Sequence, residues 1–220
     1  MTAIADFFTF VSERWAVLGF LAYQHMSLVV QSLLLATVLA LVLGIAATRV
    51  SWGPNAAQAF SAVGLTIPSY ALLGLLVGIL SIGVLPSVVI LVFFGFLPIL
   101  RNVVVGIKAV DPALIESARG MGMGRFDTLV RLELALAWPV IMTGVRVSAQ
   151  MLMGVAAIAA YALGPGLGGY IFSGIARMGG ANATNSIIAA TLGIILLAII
   201  LDLALNLLTR FTTPKGISRA

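Results

Sequence analysis

Charged side chains are scarce in this sequence. Of 220 residues, 12 are Lys or Arg and 7 are Asp or Glu, so that 9% of the chain is charged while 61% is apolar. A soluble domain has about a quarter of its residues charged, because its surface must be covered with groups that water solvates. The scarcity excludes a water-soluble globular protein and indicates a chain that lies largely in lipid.

Other absences narrow the chemistry. Cysteine is missing, which excludes disulfides, thiol catalysis and sulfur-ligated metal sites. No G-x-x-x-x-G-K-[ST] pattern occurs, so the chain is not expected to bind ATP in that mode. The run from Gly164 to Gly169 matches G-x-G-x-x-G, the pattern of a dinucleotide-binding loop. It follows an apolar stretch, however, and the first acidic residue after it is Asp202, so the run is predicted to be a plain loop. We expect no enzyme activity, no catalytic residue, and no metal or cofactor bound by this chain.

Long charge-free stretches locate the membrane-spanning helices, each of which needs about 20 mostly apolar residues. No charged residue occurs between Arg49 and Arg101, and Gly83 with Pro86 divides that stretch into two. Two more charge-free stretches lie on either side of Arg177. We predict an all-α membrane protein with a single transmembrane domain over residues 25–210 and five spans, near residues 27–48, 57–81, 86–107, 137–160 and 186–208.

Residues 1–24 are predicted to form a separate amphipathic helix that lies in the membrane interface. Apolar residues recur there at helical spacing and alternate with polar ones; the apolar set is Ile4, Phe7, Phe8, Val11, Trp15 and Leu18. The alternative is a sixth crossing, which would place Glu13 and Arg14 inside the membrane. Residues 211–220 are predicted to be a short cytoplasmic tail.

The distribution of basic residues predicts the orientation, because Lys and Arg accumulate on the cytoplasmic side of a membrane. An outside N-terminus and a cytoplasmic C-terminus place most basic residues inside: Arg49, Lys108, Arg119, Arg125, Arg131, Arg210, Lys215 and Arg219. Arg14 and Arg177 then fall outside. The charges are dispersed among the spans and no nucleic-acid-binding module is visible, so no nucleic acid partner is expected.

Residues 108–135, between the third and fourth spans, form the one markedly polar segment of the chain. Asp111 followed by Pro112 is typical of a helix start, since the carboxylate caps the first turn and proline needs no donor there. We predict a short helix from Pro112 to about Met121. The glycines at positions 120, 122 and 124 then end the helix and permit a sharp turn.

A second short helix is predicted to begin at Arg125, with Asp127 and Arg131 four residues apart on one face. The segment also carries apolar side chains that water does not favour: Ile115, Met121, Met123 and Phe126. One interpretation of the segment is a solvated loop. The other is a helix that docks into a groove on a partner protein, with apolar anchors and charged flanks.

The spacing within this segment resembles the cytoplasmic signature of binding-protein-dependent ABC importer permeases, which is Glu-Ala-Ala, three residues, Gly, nine residues, and Ile-x-Leu-Pro. Here the signature is Glu116-Ser117-Ala118, then Gly122, then Leu132-Glu133-Leu134-Ala135. Ser117, Leu132 and Ala135 depart from it. Alanine in place of the final proline leaves the end of the second helix less sharply defined.

Further stretches are similar to osmoprotectant permeases, which handle glycine betaine, choline or carnitine: Thr66–Ser69, Val110–Met123 and Gly166–Gly168. The resemblance implies a type I ABC importer permease fold in the lipid of a bacterial cytoplasmic membrane. It also implies a second permease copy or paralogue, ABC ATPase subunits that hold ATP and Mg, and an extracytoplasmic substrate-binding protein. The implied ATPase-coupling residues are Asp111, Pro112, Ile115, Glu116, Ser117, Ala118, Arg119, Gly120, Met121, Gly122 and Met123.

Candidates for the translocation path are Pro68, Ser69, Tyr70 and Arg146. Pro68 interrupts the second span, and it either opens the helix beside a cavity or only kinks it. Arg146 lies within the fourth span, where it either pairs inside the bundle or faces an aqueous path. A quaternary ammonium solute favours aromatic faces, for which Tyr70, Tyr161 and Tyr170 are candidates, but an interfacial aromatic belt accounts for these tyrosines equally well.

The predicted function is import of a compatible solute by alternating access, driven by a partner ATPase. One alternative is a permease of the same class for an amino acid such as methionine. Another is an ion-coupled secondary transporter, which is expected to carry carboxylates within its spans, inverted repeats and more than five spans per chain. Apart from Asp202, the predicted spans contain no acidic residue.

Overall fold

A computed structural model describes residues 2–213, with side chains from residue 4 onward. Over that range the chain consists of helices and the turns that join them, without a β-strand, and the predicted all-α fold class is confirmed. The helices are α1 (Thr2–Thr48), α2 (Gly53–Thr66), α3 (Ser69–Leu80), α4 (Val84–Lys108), α5 (Pro112–Gly120), α6 (Arg125–Asp127), α7 (Leu134–Ala159), α8 (Gly168–Ala176) and α9 (Ala183–Thr212). A π-helical turn (Thr128–Glu133) joins α6 to α7, and a 3-10 turn (Ala160–Ala162) follows α7. Most of the predicted tail, with Lys215 and Arg219, lies outside the described residues.

Helix α1 is one continuous element of 47 residues. The predicted boundary between an interfacial helix over residues 1–24 and a first span over residues 27–48 is therefore corrected. No break occurs there because residues 20–30 contain neither glycine nor proline. At 1.5 Å per residue the helix is about 70 Å long, more than twice the roughly 30 Å of bilayer hydrocarbon, so α1 extends beyond any single straight crossing.

The predicted second span, residues 57–81, is two helices instead of one. Helices α2 and α3 are bent by 92° relative to each other at Ile67 and Pro68. Both residues have extended backbone, with ψ of 124° and 121°. Proline has no N–H for the helix and disfavours helical backbone at the residue before it, so α2 ends and a new helix begins.

Helices α4 and α7 form the centre of the bundle, and α1, α2 and α9 pack around them. Ile90 and Leu97 of α4 and Ile141 and Leu152 of α7 are fully buried. The Oγ of Ser148 in α7 donates a hydrogen bond to the carbonyl of Gly95 in α4 at 2.7 Å. Close backbone approach and interhelical hydrogen bonds are what hold spans together in lipid, where the hydrophobic effect between helices is weak.

The two ends of the bundle differ in charge. The basic end contains the C-terminus of α1, the start of α2, the end of α4, and α5. At the opposite end, which we call the loop end, the N–H of Gly83 donates to the carbonyl of Ala162 at 2.9 Å, and Gly166 packs against buried His25. The glycine-rich run lies here: residues 164–167 are a loop as expected, but α8 begins at Gly168, a helix that the sequence pattern did not predict.

Among the described residues, four helical segments are long and apolar enough to cross a membrane: Ile4–Thr48, Val84–Lys108, Arg125–Ala162 and Ala183–Thr212. A fifth is obtained when the bent pair of α2 and α3 is counted as one broken span. The spans predicted near residues 86–107, 137–160 and 186–208 fall within the last three of these segments.

Candidate functional site

Helix α5 is the central part of the polar segment, and its start is as predicted. The helix begins at Pro112, and the Oδ1 of Asp111 accepts a hydrogen bond from the N–H of Ala113 at 2.8 Å. This contact satisfies one of the N–H groups that a first helical turn leaves without a partner. The capped start fixes where α5 begins relative to the end of α4 at Lys108.

The turn after α5 depends on one of the three glycines. Gly122 has a φ of +88°, a region that L-residues with side chains rarely adopt. Its N–H donates to Arg119 at 2.9 Å, and the N–H of Met123 donates to Ala118 at 3.0 Å, which closes the helix end. Gly120 is the last residue of α5, and Gly124 has an ordinary φ of −66°.

The outward surface of the polar segment is apolar as well as charged. Met121 is 78% exposed and Phe126 is 75% exposed, and Leu114 also faces outward. Ile115 and Met123 are half-buried and Ala118 is buried, so these residues pack towards the rest of the chain. Of the predicted apolar anchors, Met121 and Phe126 are therefore exposed and available to a partner, as is Leu114. Ile115 instead packs α5 against the rest of the chain.

Charged groups on α5 lack partners within the described chain. Glu116, Ser117 and Arg119 are exposed, and neither Glu116 nor Arg119 forms an ion pair with any residue in the range 2–213. The Ser117 hydroxyl donates to the carbonyl of Ala113 at 2.8 Å, a bond within the helix. A segment that exposes a carboxylate without an ionic partner, together with methionine and phenylalanine, is suited to a partner with complementary charge.

The second helix of the polar segment begins at Arg125 as predicted, but it continues into the next membrane span instead of ending before it. Helix α6, the π-helical turn and α7 run into one another without a break, from Arg125 to Ala159. Alanine at position 135, where the signature has proline, is compatible with this continuity. Asp127 and Arg131 form the expected pair four residues apart, at 3.3 Å. A displacement of the turn at Gly122 is thereby connected directly to a membrane span.

An ion pair that the sequence pattern did not indicate joins this segment to α1. Arg49 donates hydrogen bonds from Nη2 and Nη1 to the two carboxylate oxygens of Glu133, at 2.7 and 3.3 Å. The Glu133 side chain is 3% exposed, while that of Arg49 is 45% exposed. Because Glu133 is a charged residue at the start of an apolar span, it requires a partner. The sequence pattern did not reveal that partner, because Arg49 lies far away along the chain.

The path candidates fall at two separate places. Pro68, Ser69 and Tyr70 lie at the bend between α2 and α3, and Tyr70 contacts Tyr161 with ring centroids 5.1 Å apart. Arg146 instead contacts Asp202 of α9 through Nε and Nη2, at 2.9 to 3.1 Å. The amide of Gln150 donates to the same carboxylate at 3.1 Å. This geometry supports the structural interpretation of Arg146, and it gives Asp202 a partner that the sequence pattern did not identify.

Tyr170 is separate from the tyrosine pair, because it lines a different cavity near Pro165. The third ring at the tyrosine pair is instead Phe172 of α8, whose centroid lies 5.3 Å from that of Tyr161. Within residues 2–213, no group of three or more His, Asp or Glu side chains could hold a metal ion.

Comparisons with known proteins are consistent across sequence and structure. Residues 25–213 match the family described as "Binding-protein-dependent transport system inner membrane component". The chain is 36% identical over 209 residues to the glycine betaine/carnitine/choline transport system permease protein OpuCB of Bacillus subtilis (strain 168), which covers 95% of this chain and 94% of that protein. It is 36% identical over 217 residues to the osmoprotectant import permease protein OsmW of Salmonella typhimurium (strain LT2), covering 96% and 99%.

A solved structure, the MetNI methionine ABC transporter in an inward-facing conformation, is similar in fold. The TM-score is 0.76, and the match covers 92% of this chain and 99% of that one. The sequence identity is 21%. The likeness concerns the fold, which is that of a type I importer permease.

Proposed function

The chain belongs to the family of binding-protein-dependent transport system inner membrane components, and on that basis we propose that it imports quaternary ammonium osmoprotectants such as glycine betaine, choline and carnitine. It is a multi-pass permease subunit of the cytoplasmic membrane and not itself a catalytic subunit. The substrate class rests on the relatives OpuCB and OsmW, whose similarity extends over nearly the whole chain. The methionine alternative has the support of a fold likeness alone.

The structural observation that supports an ATP-driven importer is the exposed surface of the polar segment. Helix α5 exposes Leu114 and Glu116, which has no ionic partner among residues 2–213, and Met121 and Phe126 are exposed in the residues that follow α5. We assign this surface to docking on an ATPase subunit, which would hold ATP and Mg, since this chain has no phosphate-binding pattern of its own. In this arrangement Glu116 supplies the charge, Met121 and Phe126 supply the anchors, and Gly122 supplies the turn.

Two connections would transmit movement of α5 into the membrane. The first is the unbroken helical run from Arg125 through α7. The second is the Arg49–Glu133 pair, which joins the same run to the end of α1. When ATP draws two ATPase subunits together, α5 is displaced and α7 and α1 move with it. The path then opens towards an extracytoplasmic binding protein, and hydrolysis resets it.

The orientation follows the positive-inside rule. The basic end holds Arg49, Lys108, Arg119, Arg125 and Arg131, so we place that end in the cytoplasm with the C-terminus and the loop end outside. A second permease, either identical or a paralogue, completes the path. The orientation also brings α5 to the side where ATP is available.

Uptake by the reconstituted complex tests the function. The permease, its ATPase and its binding protein are placed in proteoliposomes, and ATP-dependent entry of labelled glycine betaine, choline, carnitine and methionine is measured. We expect entry of at least one quaternary ammonium solute, and none of it without ATP. Entry of methionine alone would contradict the substrate class, and entry driven by an ion gradient without ATP would contradict the ABC mechanism.

A further inference from the structure

The bend between α2 and α3 exposes irregular backbone at membrane depth. Residues 65–68 are all exposed in the single chain. Gly64, just before them, packs against Leu97, which lies about 17 Å of helix rise from the end of α4 at Lys108. With roughly 30 Å of hydrocarbon, the bend is near the middle of the bilayer.

Backbone of this kind does not face lipid. Where the helical hydrogen bonds are interrupted at membrane depth, the chain must be covered by protein or must line a cavity that holds water. No other part of residues 2–213 covers the bend, because Ile67 and Pro68 stay exposed. The bend therefore faces the second permease or the water-filled path between the two permeases.

An aromatic cluster extends from the bend towards the loop end. Tyr70 follows Pro68 by two residues, and its ring meets that of Tyr161 at an interplanar angle of 55°. Phe172 adds a third ring against Tyr161 at 64°. Tyr70 is 50% exposed and Tyr161 is 60% exposed, so both side chains remain accessible from outside the chain. The three rings come from α3, from the turn after α7 and from α8, and only the tertiary fold brings them together.

The space beside these rings fits a small solute. A cavity of about 160 Å³ is lined by Tyr70, Tyr161 and Gly74, and otherwise by aliphatic side chains, without a charged residue. A Cβ added to Gly74 would meet nothing within 4 Å, so this glycine leaves the side of the cavity open. Drug-sized ligands need about 300 Å³ or more, which this cavity does not provide.

We propose that Tyr70 and Tyr161, backed by Phe172, contact the trimethylammonium group of the transported solute as it passes the bend. The inference rests on the proposed function, which supplies the cation. A quaternary ammonium has no N–H to donate, and the faces of tilted aromatic rings attract it through their negative electrostatic potential. A site without a carboxylate holds such a cation only weakly, and weak binding is what a transport path requires if the solute is to leave.

An aromatic belt at the membrane interface is the competing explanation for exposed tyrosines. Tyr23 of α1 is a matched control for it, because this tyrosine is 68% exposed and has no ring contact with another aromatic among residues 2–213. An interfacial role would make Tyr70, Tyr161 and Tyr23 equivalent. If Tyr70 and Tyr161 form a cation site, their substitution weakens cation binding and substitution of Tyr23 does not.

The direct test measures binding of tetramethylammonium to the purified permease–ATPase complex without the binding protein. Saturation-transfer NMR detects the methyl protons of the probe. We expect a transfer signal in the wild type, a roughly three- to thirtyfold weaker affinity in Tyr70→Leu and Tyr161→Leu, and little change in Tyr70→Phe, Tyr161→Phe and Tyr23→Leu. The phenylalanine variants keep the ring and the packing, so they separate loss of the aromatic face from misfolding.

The outcomes distinguish the site from the function. Absent transfer in the wild type, or leucine variants that bind as well as the wild type, would overturn the site. Phenylalanine variants as weak as the leucine variants would also overturn it, because the hydroxyl would then be the group in contact. If one of these binding results overturns the site but glycine betaine, choline or carnitine still enters wild-type proteoliposomes with ATP, the proposed function stands and only the site is wrong. If none of them enters, the proposed function fails and the site fails with it.

Discussion

Charged groups are held differently on helix α5 and on the helices that cross the membrane. On α5, Glu116 and Arg119 are exposed and have no ionic partner within the described chain. In and near the spans, Arg146 pairs with Asp202 and Arg49 pairs with Glu133. Water or a partner surface can solvate the first kind of charge, whereas the second kind is too costly to leave unpaired near lipid. We therefore expect changes on α5 to affect transport, and changes to the pairs to affect stability.

Reversal of charge on α5 should have the largest effect on transport. In Glu116→Lys, a charge that docks on the ATPase is replaced by one that repels the same partner, so we expect ATP-driven uptake to fall by about thirtyfold or more. The thermal unfolding midpoint should not change, because the carboxylate has no partner within the described chain. Uptake at the wild-type rate, with normal membrane levels, would show that Glu116 does not dock. Glu116→Gln is the milder comparison and should lose less.

A side chain at the turn should have the next largest effect. Gly122→Val forces a β-branched residue to adopt a φ of +88°, at a strain of roughly 1–2 kcal/mol, and we expect uptake to fall by about five- to thirtyfold while the permease still inserts. Gly120→Ala is the matched control, since Gly120 is the last helical residue and an added Cβ there meets nothing within 4 Å. Equal uptake by both variants would contradict the role of the turn.

Removal of one partner from the buried pair should lower stability. Arg49→Ala leaves the Glu133 carboxylate buried and alone, and we expect a loss of about 1–2 kcal/mol in detergent, less than for a fully buried pair because Arg49 is 45% exposed. Arg131→Ala breaks an exposed pair on the same segment and should change the unfolding midpoint very little. A comparable shift in both variants would remove the distinction between the two kinds of charge.

The Arg146–Asp202 pair should show a smaller shift than the Arg49–Glu133 pair, because neither Arg146 nor Asp202 is as deeply buried as Glu133. We expect Arg146→Met and Asp202→Asn each to lower stability, and a double-mutant cycle to give a coupling of about 1 kcal/mol. Uptake by the double variant should recover relative to either single variant. Lost uptake in Arg146→Met with unchanged stability would instead indicate that Arg146 lines the path.

The sequence was sufficient where structure depends on neighbours in the chain. Asp111 and Pro112 specify the start of α5, and Gly122 specifies the turn, because capping and left-handed backbone are local properties. The charge-free stretches likewise predicted α4, α7 and α9. A local pattern was insufficient at α1, where the polar residues near its start suggested a boundary that the backbone does not have.

Long-range partners required the tertiary structure. The scarcity and placement of charge determined by themselves that the chain crosses a membrane and that one polar segment stands outside it. The fold decided which charges neutralise each other, such as Arg49 with Glu133, and which tyrosine joins Tyr70 at the bend. The reason is physical: hydropathy and capping act over a few residues, whereas ion pairs and ring contacts depend on the packing of helices that are distant in sequence.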